Sequence, residues 1–147
     1  QYVEVISSIA SQSAGKATRE NINEYIINTQ RAIGELSGIN KNKVIINLNP
    51  SDPPVNMMNS IFFECKNINF KKIKIANLVL KKINKTIKKY IPGYNAKLFY
   101  QKNENFFRVT IRVVGSGDYL STFAGNLDII TSSSAYIGKL LNEKHYN

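Results

Sequence analysis

The sequence predicts an α+β fold: a two-layer sandwich with a mixed, mostly antiparallel sheet and helices packed on one of its faces. Three observations predict it. Short β-branched runs alternate with longer segments of helical periodicity. Several of the short runs lie close enough to be joined by hairpins. No repeat, low-complexity tail or long linker divides the 147 residues, so they read as one domain, 1–147. The expected order is β-α-β-β-α-β-β-α.

Each element follows from its residues. Tyr2 to Ala10 (YVEVISSIA) is β-branched and partly alternating, a strand. Ser11 to Lys16 (SQSAGK) is small and polar, a tight loop. Thr18 is a plausible N-cap for a helix in which Ile22, Tyr25, Ile26, Thr29, Ile33 and Leu36 recur at helical spacing, and Gly38 ends it. Lys43–Leu48 (KVIINL) is a short apolar strand. Asn49–Asn56 (NPSDPPVN) is irregular, because Pro53 and Pro54 lack backbone donors. Ser60–Cys65 (SIFFEC) reads as a strand. Between Lys71 and Ile91, Ile73, Ala76, Leu80, Ile83, Ile87 and Ile91 make one apolar helical face, and Pro92-Gly93 stops it. Lys97–Tyr100 and Phe106–Val114 predict a hairpin turning at Lys102–Asn105. Gly115–Asp118 reads as a flexible hinge. Phe123, Leu127, Ile130, Ile137, Leu140 and Leu141 outline a last helix.

Composition bounds the function. Twenty Lys+Arg against ten Asp+Glu give a net charge of +10. Such an excess suits anionic partners, but nine of the lysines fall between Lys66 and Lys89, in a chain also rich in Ile and Asn. That combination is what AT-rich coding supplies. Single-strand binders interleave aromatics with a basic groove, and Lys71–Lys89 contains none, so it reads as a solvated face rather than a nucleic-acid surface. The lone cysteine, Cys65, cannot form an internal disulfide, which predicts a reducing, cytoplasmic setting. No apolar run approaches the roughly 20 residues of a membrane span. The chain opens at Gln1 already inside a strand-like segment, which predicts a piece of something longer.

Few residues carry chemistry. The loop Ser11–Arg19 (SQSAGKATR) joins a strand to a helix start, where free N–H groups and the dipole favour anions. Ala17 follows Lys16, so this is no Walker loop. An ordinary turn with a cap and an anion site both fit. Cys65 ends an apolar strand without cationic neighbours and reads as buried and structural. His145 stands alone in a polar tail, and no His/Cys cluster has metal spacing. Asn126, in Gly125-Asn126-Leu127-Asp128, either caps the last helix or offers its amide to a carboxamide ligand.

Four blocks in order resemble the second half of acylating acetaldehyde dehydrogenases: YVEVISSIASQSAGKATRENINEY, VIINLNPSDPP, YIPGY and YLSTFAGNLDIITSSSA. They span nearly the whole chain. The resemblance implies a domain similar to the C-terminal domain of glyceraldehyde-phosphate-dehydrogenase-like enzymes, which dimerises and completes the active site. It implies conversion of acetaldehyde, NAD and coenzyme A into acetyl-CoA and NADH, in the catabolism of aromatic compounds. A preceding Rossmann domain and a nucleophilic cysteine lie, in the family, before the region matching Gln1. The loop matching Ser13, Ala14, Gly15, Lys16, Ala17, Thr18, Arg19, Glu20 and Asn21 contacts NAD there, and the residue matching Asn126 holds the nicotinamide carboxamide. The family also associates with a 4-hydroxy-2-oxovalerate aldolase.

Three departures qualify what is implied. The Rossmann domain and catalytic cysteine are absent from this chain, and Cys65 does not align with that cysteine. The family's acidic residue, which assists the thiolate, falls on Asn59 counting from Pro53-Pro54, or on Ser60 counting from Met57-Met58. Neither is a carboxylate. The hairpin around Asn103 is shorter than the family's, which bears on partner contacts there. A rival reading follows: a non-catalytic homologue kept as a dimerisation scaffold or aldolase-binding partner.

Overall fold

The computed structural model describes residues 1–101 and 105–145. The turn expected at Lys102–Asn105 falls largely outside these, as does the side chain of His145. Five strands form one sheet: β1 (Val3–Ala10), β2 (Asn42–Asn49), β3 (Met57–Glu64), β4 (Tyr94–Tyr100) and β5 (Phe106–Val113), in the order β2-β1-β3-β5-β4. Only β1 and β2 run parallel; every other neighbouring pair is antiparallel. The parallel pair needs a crossover. It is supplied by α1 (Lys16–Glu20) and α2 (Ile22–Ser37), while α3 (Phe70–Ile87) and α4 (Gly125–His145) complete the helical layer.

Residues directly opposite on neighbouring strands share a face, so the register sorts the side chains into two sets. Val3, Phe63 and Phe107 fall on one side, as do Val5, Ile61, Val109 and Leu98. Against that side Ile91, Tyr94, Ala96, Val109 and Val113 form the buried core, joined by Leu80 and Ile87 from α3 and Ile129 from α4. Asn42, on the same side, exchanges hydrogen bonds with Gln30 of α2. The expected sandwich with helices on one face is therefore observed, and the other face is open.

The element boundaries moved where local contacts outweigh pattern. The first helix starts at Lys16 with Gly15 at the N-cap, not Thr18, and it breaks at Asn21. There φ is −107° and the side-chain amide donates back to the Ala17 carbonyl at 2.9 Å. β3 begins three residues before Ser60, because Met57–Asn59 have partners on β5 and Met58–Asn59 also on β1. β4 begins at Tyr94 for the same reason, paired with Val113. α3 begins at Phe70, capped by Asn69, whose side chain accepts from the Lys72 N–H at 3.0 Å. It ends at Ile87, and Ile91 reaches the core from the turn that follows. The apolar face expected on α4 is largely bare: Ile130, Ile137, Leu140 and Leu141 are exposed. The face expected on α3 is mixed, since Ile83 is exposed while Leu80 and Ile87 reach the core.

β4 is an edge strand whose outward N–H and C=O groups would otherwise invite another strand. Asn84 of α3 occupies the pair on Ala96. Its Nδ2 donates to the Ala96 carbonyl at 2.9 Å and its Oδ1 accepts from the Ala96 N–H at 2.8 Å. Replacing Asn84 with Ala is expected to cost about 1–3 kcal/mol, read as a lower urea midpoint, and to speed hydrogen exchange at Ala96 selectively. Unchanged exchange there would refute the clamp.

Burial pushes the Tyr94 hydroxyl above its ordinary pKa, with Tyr90 adding to the effect. The fold thus prefers the neutral phenol. Its contribution is complete below the unfolded value near pH 10 and is lost as pH rises through the raised value. Stability should fall less steeply in Tyr94→Phe than in the parent across that alkaline window. Identical slopes in urea titrations would contradict this.

Candidate functional site

Three loops leave the same end of the sheet. Ala10 closes β1 opposite Asn49, the last residue of β2; Met57 opens β3 opposite Val113, the last residue of β5. Segments 11–21, 50–56 and 114–124 therefore emerge side by side. Two of the specific sequence blocks, more than a hundred residues apart, meet at this end: the loop after β1 and the start of α4.

The loop after β1 is built tightly. Ser11–Ser13 make one 3-10 turn, in which the buried Ser13 hydroxyl donates to the Ala10 carbonyl at 2.8 Å. Ala14 is also buried. Arg19 reaches back over the turn: Nε donates to the Ala14 carbonyl at 3.0 Å, and Nη2 to the Ser11 carbonyl at 2.7 Å and the Ser11 hydroxyl at 2.8 Å. The guanidinium thus holds the loop's shape through a fork that lysine cannot copy. Lys16 pairs loosely with Glu20 at 3.7 Å on an exposed surface. Gly15 has ordinary angles, φ −70° and ψ 177°, and an added Cβ would meet nothing within 4 Å. Neither backbone strain nor a neighbour in the chain demands a glycine there. It leaves open space beside the loop.

The start of α4 is clamped as firmly. The Gly115 N–H donates to the Thr122 carbonyl at 2.7 Å, and Asp128, in the first turn of α4, accepts from the Ser116 N–H at 2.6 Å. The segment expected as a flexible hinge is thus pinned at its first two residues. Asn126 is the second residue of the helix, behind Gly125, so it does not cap it. Its Oδ1 is buried and has no hydrogen-bond partner among the described residues. Such an orphan is rare and calls for an explanation.

The two positions left open for the family's acid point apart. Asn59 shares the helix-covered face with Ser7 and Ile111, and its Oδ1 is a second buried orphan. Ser60 lies on the open face, between Ile6 and Thr110. Asn59 is the one on Met57's side of the sheet, where Met57 and Val113 meet the core.

Cys65 lies beyond the far end of β3, about 25 Å of strand from the loop end. It is half-buried rather than enclosed, and its backbone N–H donates to the Asn105 carbonyl at 2.7 Å. It takes no part in the site. Among the described residues no cluster of His, Cys, Asp or Glu could hold a metal ion, and no helix is long and apolar enough to cross a membrane.

One connection escaped the sequence. Turned so that donor meets acceptor at both ends, the Asn56 amide would donate to the Thr122 carbonyl at 3.2 Å and accept from the Arg112 guanidinium at 2.9 Å. It ties the proline loop to the loop before α4. A single Asn beside a Pro pair carries no signal of that; only the strand register brings the three together.

Over residues 1–121 the chain matches the family described as prokaryotic acetaldehyde dehydrogenase, dimerisation. The chain belongs to that family. Its relatives include acetaldehyde dehydrogenases of Pectobacterium atrosepticum, 38% identical over 99% of this chain, and Burkholderia pseudomallei strain 668, 42% identical over 90%. A third, from Spirochaeta aurantia, is 41% identical over 91% of the chain. The chain spans about half the length of these relatives: 48%, 44% and 44% respectively.

Arg19→Lys tests the clamp. It keeps the charge and removes the fork, so amide exchange at Ala14 should quicken on the order of tenfold, the equivalent of one modest hydrogen bond. Were Arg19 a free anion-binding group, lysine would serve there and exchange would not change.

Proposed function

We propose that this chain is the dimerising, active-site-completing half of an NAD-dependent, coenzyme A-acylating acetaldehyde dehydrogenase. The observation that carries the reading is the buried, unpartnered Asn126 amide oxygen at the end of the sheet where the loop 11–21 also emerges. A carboxamide offers an N–H donor to such an acceptor, so the nicotinamide amide fits Asn126. The unfilled space at Gly15 fits close approach of the cofactor to the loop Ser13–Asn21. Arg19 is set mainly to hold the loop, because three of its five donors are taken by Ser11 and Ala14.

NAD, when bound, accepts hydride, and coenzyme A accepts the acyl group. The nucleophilic thiolate belongs to a preceding segment, together with a nucleotide-binding domain. This chain's own residues then orient and shape. Asn126 fixes the carboxamide, and with it the ring face that is presented. Asn59 holds an amide where the family has an acid; it exchanges no proton near neutral pH and serves only as a hydrogen-bonding group. On this reading neither Asn59 nor Ser60, the two positions that the family's acid could occupy, offers the thiolate a carboxylate.

That same amide favours the second reading, a homologue whose role is structural pairing or aldolase binding rather than turnover. The full-length chain decides between them. Acetaldehyde- and coenzyme A-dependent formation of NADH supports the enzyme; its absence from folded, NAD-binding protein supports the scaffold. In an active enzyme, Asn126→Ala should raise KM for NAD about tenfold or more, the loss of a buried hydrogen bond pair. Asn59→Asp should raise kcat on the order of 100-fold, the usual worth of a placed general base. An unaltered kcat would show that Asn59 is not at the acid's position.

A further inference from the structure

α3 is apolar on two sides. Leu80 and Ile87 turn inward to the core. Ile75, Leu78 and Val79 turn the other way and are 52%, 58% and 50% exposed. Residues three and four apart are neighbours on a helix surface, so these three form one aliphatic cluster. Lys71, Lys74, Lys81 and Lys82 each stand three or four residues from a member of it and ring it with charge. All four are exposed, and none has an acidic partner among the described residues. Lys85, Lys88 and Lys89 extend the charge past the ring, and no acid occurs between Glu64 and Glu104. A face kept for water alone accounts for the lysines. It leaves the clustered aliphatic side chains without a cause.

We propose that this outward face of α3 rests on an anionic lipid surface, with Ile75, Leu78 and Val79 at acyl depth and the lysines among the headgroups. A helix that lies in a lipid interface combines these same two elements, an apolar stripe and a lysine-rich border. Lysine suits the border because its stem lies along apolar surface while its ammonium stays with the phosphates. The helix lies on the bilayer and does not cross it, since no helix among the described residues is long and apolar enough to span one.

Other partners match less of the surface. A nucleic acid offers phosphates to the lysines and nothing apolar to the cluster, which has no ring to stack on a base. The ring of Phe70, 80% exposed, stands at the start of the helix, five residues from Ile75 and outside the cluster. The cores of protein interfaces favour Arg, Met and aromatic residues and are depleted in Lys, the reverse of what is found here. Nor do the three aliphatic residues line the groove between α3 and β4, whose walls include Asn77, Lys81, Asn84 and Lys97. The cluster stands on the outside of a helix, where a fluid lipid surface needs no fixed register. The inference goes beyond the enzyme proposed above and holds for either reading of catalysis.

The test uses the native full-length chain and its sedimentation with vesicles. Phosphatidylcholine vesicles containing phosphatidylglycerol should carry the protein down near physiological salt, and pure phosphatidylcholine vesicles should not. Leu78→Gln with Val79→Gln keeps every charge and should lower partitioning on the order of tenfold, through lost apolar burial. Lys74→Glu with Lys82→Glu should lower it on the order of 25-fold or more, at about fivefold for each lysine brought near an anionic surface. All four positions are exposed, and circular dichroism checks that the variants fold. As a second measurement, an environment-sensitive label on Leu78→Cys in a Cys65→Ser background should shift to the blue on the anionic vesicles. A folded full-length chain that stays in the supernatant overturns the proposal, as happens where a preceding segment covers α3. So does binding that Leu78→Gln with Val79→Gln leaves unchanged, because attraction of opposite charge alone then explains it. A label that fails to shift on bound protein overturns it as well. Tighter binding to duplex DNA than to vesicles, lost in the lysine variant, assigns the face to nucleic acid instead. No arm reads NADH formation, so failure of the catalytic reading leaves each outcome untouched.

Discussion

The close approach of three chain segments at the end of β5 governs the rest of the structure. Two positions there cannot carry a Cβ. One built at Gly93 would lie 2.0 Å from the Val114 carbonyl oxygen, and one at Gly125 would lie 2.7 Å from that of Val113. Contacts so short against backbone have no cheap relief. Gly93 lets the chain turn from α3 into β4 under the end of β5, and its carbonyl accepts the Val114 N–H at 3.1 Å. Gly125 lets α4 start in contact with the same strand. Val113, 1% exposed, is the residue both segments close over. The junction sets where α4 begins and hence where Asn126 is buried.

What was legible in the sequence follows from how local each cause is. Hydrophobic period fixes an element's type over many residues, so the five strands, the long helices and their order were all readable. Boundaries depend on partners. Met57–Asn59 carry no strand pattern, and β1 and β5 draw them into the sheet. The break at Asn21 comes from one side chain bonding back to Ala17, a competition that a periodic pattern does not register. On α4 the pattern was real, but the partner surface was not what a single domain implies: Ile130, Ile137, Leu140 and Leu141 face outward. A stripe of this kind shows that something is to be covered and leaves open what covers it.

The candidate site was legible in its blocks and not in its chemistry. The family resemblance singled out the loop after β1 and the start of α4, and both come to one end of the sheet. The roles within them depend on which donors are already occupied. Arg19 looked like half of an anion site, yet three of its hydrogen bonds stay inside the loop. Asn126 looked as suited to capping as to a ligand, and its place inside α4 removes the first option. The choice between Asn59 and Ser60 is a matter of parity. Neighbouring strand residues point to opposite faces, so only the register with Ser7 and Ile111 puts Asn59 under the helices.

The open face and the loop end are joined by one side chain. Arg112 projects from β5 on the open face, in register with Met58 and Asn95. In the Asn56 amide orientation that matches donor to acceptor, its guanidinium donates to Asn56, whose amide donates in turn to the Thr122 carbonyl. Thr122 also accepts the Gly115 N–H, and Asp128, in the first turn of α4, accepts the Ser116 N–H. In that orientation, hydrogen bonds and the Gly115–Ser116 peptide together connect the surface of the sheet to the helix turn that carries Asn126. Each bond is modest, about 1 kcal/mol net, and several are exposed, so the path is a positioning device rather than a rigid strut. It means that the open face and the loop end of the sheet are linked through one backbone segment, Gly115–Thr122. Whatever rests on Arg112 bears on the same loop that sets the start of α4.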